Sequence, residues 1–309
     1  MSMKVYLSNI NESWVVDRFR DDWYKQNHDI STEDIKKSEI IWIISPWIWK
    51  KIPKRYLRSK KVICSIYHID FEKFDEKEKK EFQKRDKYVE FYHVISLKTK
   101  QQLEQLTNKK IVSIPFWVDQ NVWKSINNKK NLRSKYGLND SNFLVGSFQR
   151  DTEGSDLITP KLIKGPDVFL QLMREMQKIN KELVVVLTGK RRQYLITNFE
   201  KYKIKYKYFE MVNLNEVNEL YNILDLYLVT SRVEGGPQAI LECAITNTPI
   251  LSTDVGVASE ILAPESIFNI KNFKDAQVNT AYAYKNVQSY TIPEGMKLFR
   301  TKLFGDYEN

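Results

Sequence analysis

Two glutamates with seven residues between them flank a glycine-rich turn in the C-terminal half of the chain. Glu234 and Glu242 enclose the stretch Gly235-Gly236-Pro237. An ionised carboxylate only accepts hydrogen bonds, so a pair of carboxylates can hold the hydroxyl groups of a sugar on one side and of a ribose on the other. The alternative is that Glu234 is a loop charge and that Glu242 lies on the solvated face of a helix.

The flanking segments predict how this turn is positioned. Residues 224–230 alternate in polarity and end in β-branched residues, which predicts a strand. Pro237 suits the first position of a helix, and residues 240–245 have their apolar side chains at helical spacing. The start of such a helix offers free backbone N–H groups and the positive end of the helix dipole, both of which favour an anion. The strand, turn and helix together therefore favour the ligand-binding interpretation of both glutamates.

This stretch resembles the C-terminal signature of the family 4 retaining glycosyltransferases of GT-B fold. The resemblance starts at Glu234 and continues through residues 248–256 and 259–261. It implies that Glu234 contacts the donor sugar and that Glu242 contacts the ribose of the nucleotide. It also implies that the turn takes part in donor binding, through Gly235, Gly236 and Pro237.

A basic loop before a second predicted helix matches another part of the family pattern. Family members carry an Arg after the first strand of this domain and a Lys-Gly pair before the helix, and both side chains bind the donor diphosphate. Lys164 and Gly165 match the pair. Arg150 is the corresponding Arg; because the loop is longer than usual, Lys161 is a substitute candidate. Such cations can stabilise a departing diphosphate without a metal ion, whereas the alternative is a solvated basic loop.

Two further candidates follow predicted strands of the same domain, at the strand ends where ligands bind in doubly wound sheets. Lys190 comes after residues 183–188 and faces either the nucleotide or the solvent. Val212 comes after residues 205–209, where the family places a backbone contact to the base. Both residues extend the predicted nucleotide site beyond the glutamates.

One histidine at a strand end is a candidate for the reacting centre. His68 follows a predicted strand at residues 61–67, and family members often carry a histidine in this region of the interdomain cleft. It could hydrogen-bond a sugar hydroxyl or stabilise charge, with a purely structural role as the alternative. His28 and His93 are assigned structural roles.

Short apolar runs alternate with helical stretches along the 309 residues, which predicts parallel sheets wound on both faces. The resemblance implies an α/β fold of two Rossmann-like doubly wound domains that face each other across a cleft, the GT-B fold. We expect an acceptor-binding domain at residues 1–125, a nucleotide-sugar-binding domain at residues 126–285 and, within residues 286–309, a helix that packs back on the first domain. The other predicted strands are at residues 4–7, 28–30, 39–44, 91–95, 110–114 and 142–148, and the other helices at residues 12–25, 72–90, 98–106, 166–179, 213–223 and 294–303.

A formal net charge of +10 favours anionic partners, namely nucleotides, phospholipid surfaces, acidic glycans or nucleic acid. Residues 47–61 are basic with interleaved aromatic side chains. This composition is typical of a surface helix with its aromatics in the core, of peripheral contact with an anionic membrane or, third, of a nucleic-acid groove. The chain has no recognised nucleic-acid motif, so no specific nucleic acid is expected as a partner.

Cys64 and Cys243 are the only cysteines, and both stand in apolar surroundings, so no disulfide framework is expected. The chain has neither an apolar run of about 18 residues nor a signal-peptide pattern, which predicts a cytoplasmic protein. A peripheral location at the cytoplasmic face of the membrane is the alternative. Three histidines and two cysteines without clustered spacing argue against a transition-metal site, and no cofactor is expected.

Together with these observations, the resemblance implies a glycosyltransferase that moves a hexose from a nucleoside diphosphate sugar, UDP- or GDP-linked, to a hydroxyl of a glycan, a lipid or another acceptor. The resemblance implies retention of configuration and metal independence. A non-catalytic protein that binds a nucleotide sugar or a glycan is the alternative, because the Gly-rich acceptor loop expected after the first strand is missing. A nucleic-acid-binding protein ranks last. Within the enzymes, a phosphorylase or a nucleotide-sugar epimerase of the same fold is a further alternative.

Overall fold

The structure is a computed structural model that describes residues 3–9, 15–154 and 156–305. The chain divides into an N-terminal unit, Met1–Trp117 with Tyr290–Asn309, and a C-terminal unit, Val118–Ser289. Each unit contains one sheet, and the strands described in both sheets pair in parallel. The start of the helix predicted at residues 12–25 lies outside the described residues.

The N-terminal unit alternates strands and helices. In chain order they are β1 (Val5–Leu7), α1 (Val15–Gln26), β2 (Ile40–Ile43), α2 (Lys54–Ser59), β3 (Lys61–Ile66), α3 (Glu76–Asp86), β4 (Phe91–Val94), α4 (Leu97–Leu103) and β5 (Ile111–Ser113). The strand order in the sheet is β1-β2-β3-β4-β5. The strand predicted at residues 28–30 is wrong, because His28–Ile30 forms a 3-10 turn and only a single parallel bridge joins the neighbouring Ser31 to Val5.

The C-terminal unit has the same alternation. Its elements are α5 (Lys129–Lys135), β6 (Phe143–Ser147), α6 (Pro166–Ile179), β7 (Leu183–Thr188), α7 (Gln193–Tyr202), β8 (Tyr206–Phe209), α8 (Leu214–Ile223), β9 (Leu226–Val229), α9 (Gln238–Thr246), β10 (Ile250–Thr253), α10 (Ala258–Ile261), β11 (Ile267–Phe268) and α11 (Thr280–Val287). The strand order is β11-β10-β9-β6-β7-β8, so it reverses between β6 and β9. In open parallel sheets, ligands bind beyond the carboxyl ends of the strands at such a reversal.

The end of the described chain belongs to the core of the N-terminal unit. It consists of α12 (Glu294–Phe299) and a π-helical turn, Arg300–Phe304. The ring of Phe299 packs against Trp42 of β2, with centroids 5.5 Å apart. Besides Ile292, which precedes α12, the buried side chains that this segment adds to the core are Met296, Phe299, Leu303 and Phe304.

A buried polar network crosses the same core. Trp42 Nε1 donates to Ser65 Oγ at 2.8 Å, and this oxygen lies 2.8 Å from His93 Nδ1. His93 Nε2 donates to the carbonyl oxygen of Ile114 at 2.8 Å, so Nδ1 accepts from the Ser65 hydroxyl. Burial lowers the pKa of His93 from 6.5 to about 4. The ring is therefore neutral near pH 7 and has a structural role.

The basic aromatic segment at residues 47–61 is partly buried. It forms most of a 3-10 helix, Pro46–Lys51, and then α2. Trp49 is buried and Trp47 is half exposed, whereas three cations of α2 are exposed, namely Lys54, Arg55 and Arg58. Of the helices described, none is long and apolar enough to cross a membrane.

Candidate functional site

The carboxylate of Glu234 and the ammonium of Lys164 form an ion pair at the reversal of strand order. Glu234 follows β9, and Lys164 ends a 3-10 turn, Leu162–Lys164, that precedes α6. Nζ of Lys164 contacts Oε1 of Glu234, and the Ser231 hydroxyl donates to the same oxygen at 3.5 Å. The two paired side chains are 21% and 12% exposed, so both are partly accessible to solvent. Two predicted site residues from distant parts of the sequence therefore meet.

The backbone around Lys164 is held against the end of β9. Gly165 has a φ of +63°, and a Cβ at this position would lie 1.8 Å from the carbonyl oxygen of Thr230. Glycine is required at such a close approach. The Thr230 hydroxyl donates to the carbonyl of Gly165 at 2.9 Å. The Gln149 amide donates to the carbonyl of Lys164 at 2.9 Å, so the Lys-Gly pair is placed by contacts of its main chain.

The long connection between β6 and α6 forms a hairpin whose base carries two candidate cations. Thr152 and Pro160 form an antiparallel bridge. Next to it, the amide of Lys161 donates to the carbonyl of Asp151 at 2.8 Å. Arg150 immediately precedes Asp151, so the base of the hairpin brings Arg150 close to Lys161. The extra length of this loop is thus accommodated in the hairpin.

Arg150, Lys161 and Lys164 form one electrostatic group, which we name the cation cluster. Burial, followed by the charges of Arg150 and Lys164, lowers the pKa of Lys161 from 10.5 to about 8. The carboxylates of Glu153 and Glu234 act in the opposite direction, but less strongly. An anion placed among these cations would relieve their mutual repulsion. The cation cluster is therefore suited to binding a phosphate.

Sequence analysis missed a buried ion pair beside the cation cluster, between Asp151 and Arg192. Arg192 Nε donates to Asp151 Oδ2 at 3.1 Å, and the amide of Tyr194 donates to Oδ1 at 3.2 Å. Burial raises the pKa of Asp151, although the guanidinium of Arg192 acts to lower it. The only sequence signal is the run Lys190-Arg191-Arg192 after a glycine, and this run does not indicate which cation is buried. Arg192 lines a small pocket together with Ser147, Gln149, Arg150, Asp151, Lys164 and Thr230.

Glu242 lies on the buried face of α9, which excludes the solvated-face alternative. Its Oε2 accepts a hydrogen bond of 2.9 Å from the hydroxyl of Tyr221 in α8. Glu242 is 6% exposed and Tyr221 is 2% exposed. Burial and the charge of Glu242 raise the pKa of Tyr221 well above its ordinary value of 10.0, so the hydroxyl keeps its proton and acts as the donor.

The glycine turn before α9 packs against the loop after β10. α9 begins at Gln238, one residue later than predicted, with Pro237 at the N-cap position. Gly256 has a φ of +51°, and a Cβ there would lie 2.2 Å from the carbonyl oxygen of Gly235. Gly235 is buried and Gly236 is half-buried. The first amides of α9, which lack partners within the helix, lie at the same edge of the sheet as the ion pair described above.

The remaining candidates occupy other strand ends. Lys190 is exposed in the turn after β7, and Val212 is half-buried between β8 and α8. Because the strands are parallel, both residues lie at the same edge of the sheet as Lys164. His68 is exposed after β3, in the N-terminal unit. In the described part of the chain, no three or more histidines, cysteines, aspartates and glutamates form a group that could hold a metal ion.

Part of the C-terminal unit matches a known family. Residues 159–281 match the model of the glycosyl transferases group 1. The O-antigen biosynthesis glycosyltransferase WclY of Escherichia coli is 26% identical over 161 residues, which are 52% of this chain and 42% of that protein. The chain thus spans less than half the length of this curated relative.

Several solved structures share the fold along nearly the whole chain. Anabaena HepE in complex with UDP and glucose gives a TM-score of 0.71 at 12% identity, over 97% of this chain and 99% of that one. Sucrose-phosphate synthase from Thermosynechococcus elongatus also gives 0.71 at 12% identity, over 97% and 80% of the two chains. The lipopolysaccharide outer core galactosyltransferase WaaB in its apo form gives 0.67 at 11% identity, over 99% and 100%.

At such low identity the likeness shows the fold alone, and the predicted α/β fold class is confirmed by the two parallel sheets. The chain has the GT-B fold, and its residues 159–281 match the family model of the glycosyl transferases group 1.

Proposed function

We propose that the protein is a glycosyltransferase that moves a hexose from a nucleoside diphosphate sugar to an acceptor hydroxyl, with retention and without a metal ion. The observation that carries this proposal is the Lys164–Glu234 ion pair beside other cations at the reversal of strand order. A carboxylate can accept the hydroxyl groups of the sugar, and cations can bind the phosphates. The family match supports the proposal because it includes Lys161, Lys164, Glu234 and Glu242.

The cation cluster would stabilise the leaving group. When the bond between the anomeric carbon and the phosphate oxygen breaks, its electron pair stays on the oxygen, so negative charge grows on the diphosphate. Arg150 offers a planar fork for phosphate oxygens, whereas Lys161 and Lys164 offer point charges. The positive end of the α9 dipole adds to them. In the proposed reaction these groups do the work that a divalent cation does elsewhere.

Donor binding would change the partners of Lys164. In the structure its ammonium contacts Glu234. A donor phosphate competes for this ammonium, and the hydroxyl groups of the sugar then donate to the Glu234 carboxylate. Glu242, oriented by Tyr221, would hold the ribose. Lys190 and Val212 stay proposals for the nucleotide end of the site, from their places at the same edge of the sheet.

The donor and the acceptor follow from chemistry and from the relatives. We favour UDP over GDP, because HepE was solved with UDP and glucose. We propose a glycan or a lipid-linked saccharide as the acceptor, in polysaccharide biosynthesis, since WclY is an O-antigen biosynthesis enzyme. The half-exposed Trp47 and the cations of α2 would suit peripheral contact of a cytoplasmic protein with an anionic membrane. A role for His68 at the reacting centre rests on the family resemblance alone.

A transfer assay in EDTA tests the proposal. Purified protein is incubated with UDP and GDP sugars and a panel of glycan and lipid-linked acceptors, and products are identified by mass spectrometry and NMR. We expect a product that keeps the anomeric configuration of the donor. Lys164→Ala should lower kcat/KM at least about 100-fold, because it removes a cation from the growing charge. The control Lys135→Ala, which breaks a partly exposed ion pair with Glu219, should stay within about twofold.

Each part of the proposal has its own contrary result. Nucleotide binding without any product would favour the non-catalytic alternative. A requirement for added divalent metal would contradict metal independence, and an inverted product would contradict retention. Equal activity of Lys164→Ala and Lys135→Ala would remove Lys164 from the site.

A further inference from the structure

The guanidinium of Arg192 is fixed across the ends of two central strands. Nε is bonded to Asp151, as described above. Nη1 donates to the carbonyl of Ser147, the last residue of β6, at 2.6 Å. It also donates to the carbonyl of Thr188, the last residue of β7, at 3.1 Å. The side chain is fully buried, so these three bonds set both its position and its plane.

The third nitrogen of this guanidinium is different. Nη2 of Arg192 is buried but has no hydrogen-bond partner among the residues that the structure describes. A guanidinium has five N–H donors, and the two on Nη2 are therefore unused. An unpaired buried donor is destabilising, and more so when it is charged, so its retention requires an explanation. Arg192 lines the same pocket as Arg150 and Lys164, at the reversal between β6 and β9.

We propose that Nη2 of Arg192 donates to a phosphate oxygen, so that Arg192 is a fourth phosphate-binding residue beside the cation cluster. The identity of the donor as a nucleoside diphosphate sugar rests on the proposed function, but the site itself requires only a phosphate. A charge-assisted bond from Nη2 costs little further side-chain entropy, because the guanidinium is already held by its other nitrogens. Lysine could not replace it, since a single ammonium cannot satisfy the two carbonyls, Asp151 and a phosphate together.

A change at Asp151 distinguishes phosphate binding by Arg192 from a purely structural role of the Asp151–Arg192 pair. Its carboxylate offsets part of the guanidinium charge, and it also ties the hairpin to α7 through the amide of Tyr194. If Arg192 binds a phosphate, removing the charge of Asp151 leaves more positive charge for the anion. If the pair only ties the hairpin in place, removing either partner must weaken the site. The two roles therefore predict opposite effects of a change at Asp151.

Calorimetric titration with inorganic pyrophosphate tests the proposal. Arg192→Lys keeps a positive charge but loses Nη2 and the planar fork, and we expect binding about tenfold weaker than in the wild type. Asp151→Asn keeps the size of the side chain without its charge, and we expect binding equal to or tighter than in the wild type. Arg174→Lys makes the same change at an exposed arginine of α6 and should leave the affinity unchanged. Circular dichroism and thermal unfolding check that each variant is folded.

Three results would overturn the proposal. They are absence of pyrophosphate binding in the wild type, wild-type affinity in Arg192→Lys, and a loss in Asp151→Asn as large as that in Arg192→Lys. If Arg192→Lys does not fold, the direction of the change in Asp151→Asn decides. Failure of the proposed function is a separate observation, in which pyrophosphate binds through Arg192 but no sugar is transferred from any nucleotide sugar.

Discussion

The hydroxyl of Tyr221 donates a hydrogen bond of 2.9 Å to Oε2 of Glu242, between the buried faces of α8 and α9. The rings of three other aromatic residues surround Tyr221, namely Trp123, Phe148 and Tyr227. The packed rings therefore hold the Tyr221 side chain in this orientation, and one oxygen of the Glu242 carboxylate is already hydrogen-bonded within the protein. In the proposed donor site, this bond would fix how the carboxylate is presented to a ribose.

Tyr221→Phe should weaken UDP binding about 3- to 10-fold and lower the free energy of unfolding by about 1–2 kcal/mol, because a buried carboxylate loses a donor. Titration calorimetry and chemical unfolding measure the two effects. The control Tyr206→Phe removes a tyrosine–glutamate bond of 3.1 Å to Glu200 at an exposed site, and each quantity should change by less than about 0.5 kcal/mol. Unchanged UDP affinity in Tyr221→Phe would contradict the proposed contact between Glu242 and the ribose.

Two glycines with similar φ values allow the cost of a steric clash to be measured apart from the cost of backbone strain. Gly165 and Gly154 have φ values of +63° and +59°, but only Gly165 would place a Cβ 1.8 Å from another atom, the carbonyl oxygen of Thr230. Gly165→Ala should lower the free energy of unfolding by more than about 3 kcal/mol and impair phosphate binding, because the Lys164 loop must move. Gly154→Ala, with nothing within 4 Å, should cost about 1 kcal/mol through φ alone. Both variants are measured by thermal and chemical unfolding. If they lose the same free energy of unfolding, the Lys164 loop can move aside without an energetic cost.

The affinity for nucleotide should depend on pH through Lys161. Its pKa is about 8 instead of 10.5, so its ammonium loses its proton as the pH rises through 8. A bound phosphate favours the charged form and raises this pKa, so binding should take up protons in this pH range and weaken as the pH rises. Calorimetry at about pH 8.5 in buffers of different ionisation enthalpy measures the uptake. The Lys161→Arg variant stays charged in this pH range, so it should bind nucleotide without taking up a proton. If this variant takes up as many protons as the wild type, the proton binds to another group.

The stability of the N-terminal unit should depend on pH through His93. Its pKa is about 4 in the folded protein and near 6.5 when unfolded, so the unfolded chain binds the proton first as the pH falls. The stabilisation is complete above pH 6.5 and is lost towards pH 4, by up to about 3 kcal/mol. Chemical unfolding at several pH values measures this loss. His93→Gln should flatten the profile between these limits, and the exposed control His28→Gln should not; a flat wild-type profile would contradict a buried neutral ring.

Strands that are covered on both faces could be predicted from the sequence. Such strands are short apolar runs, as in β2 and β7, because no position faces water. The segment at residues 28–30 has no such run, and the residue that bridges to Val5 is the polar Ser31. An isolated bridge buries too little apolar surface to require a run of apolar residues, so its geometry could not be predicted from the sequence.

The candidate site was predictable where it follows a family pattern, and not where it depends on packing between distant segments. Lys164 and Glu234 were selected on that pattern, and the structure places them in contact. Asp151 and Arg192 are 41 residues apart, and burial of a charged pair leaves no periodic signal. The polar spacing of α9 suggests a solvated face at Glu242, but α8 covers this face and supplies the Tyr221 hydroxyl.

The aromatic side chains of α12 and the turn after it complete the core of the N-terminal unit, although they are the last described residues of the chain. During synthesis at about 5–20 residues per second, the C-terminal unit is translated whole before Phe299 and Phe304 are added. The N-terminal unit is therefore translated first but can finish packing last, and it spends this interval with an open aromatic core. A cut after Ser289 would leave the C-terminal unit its full sequence and would take part of the core from the other unit.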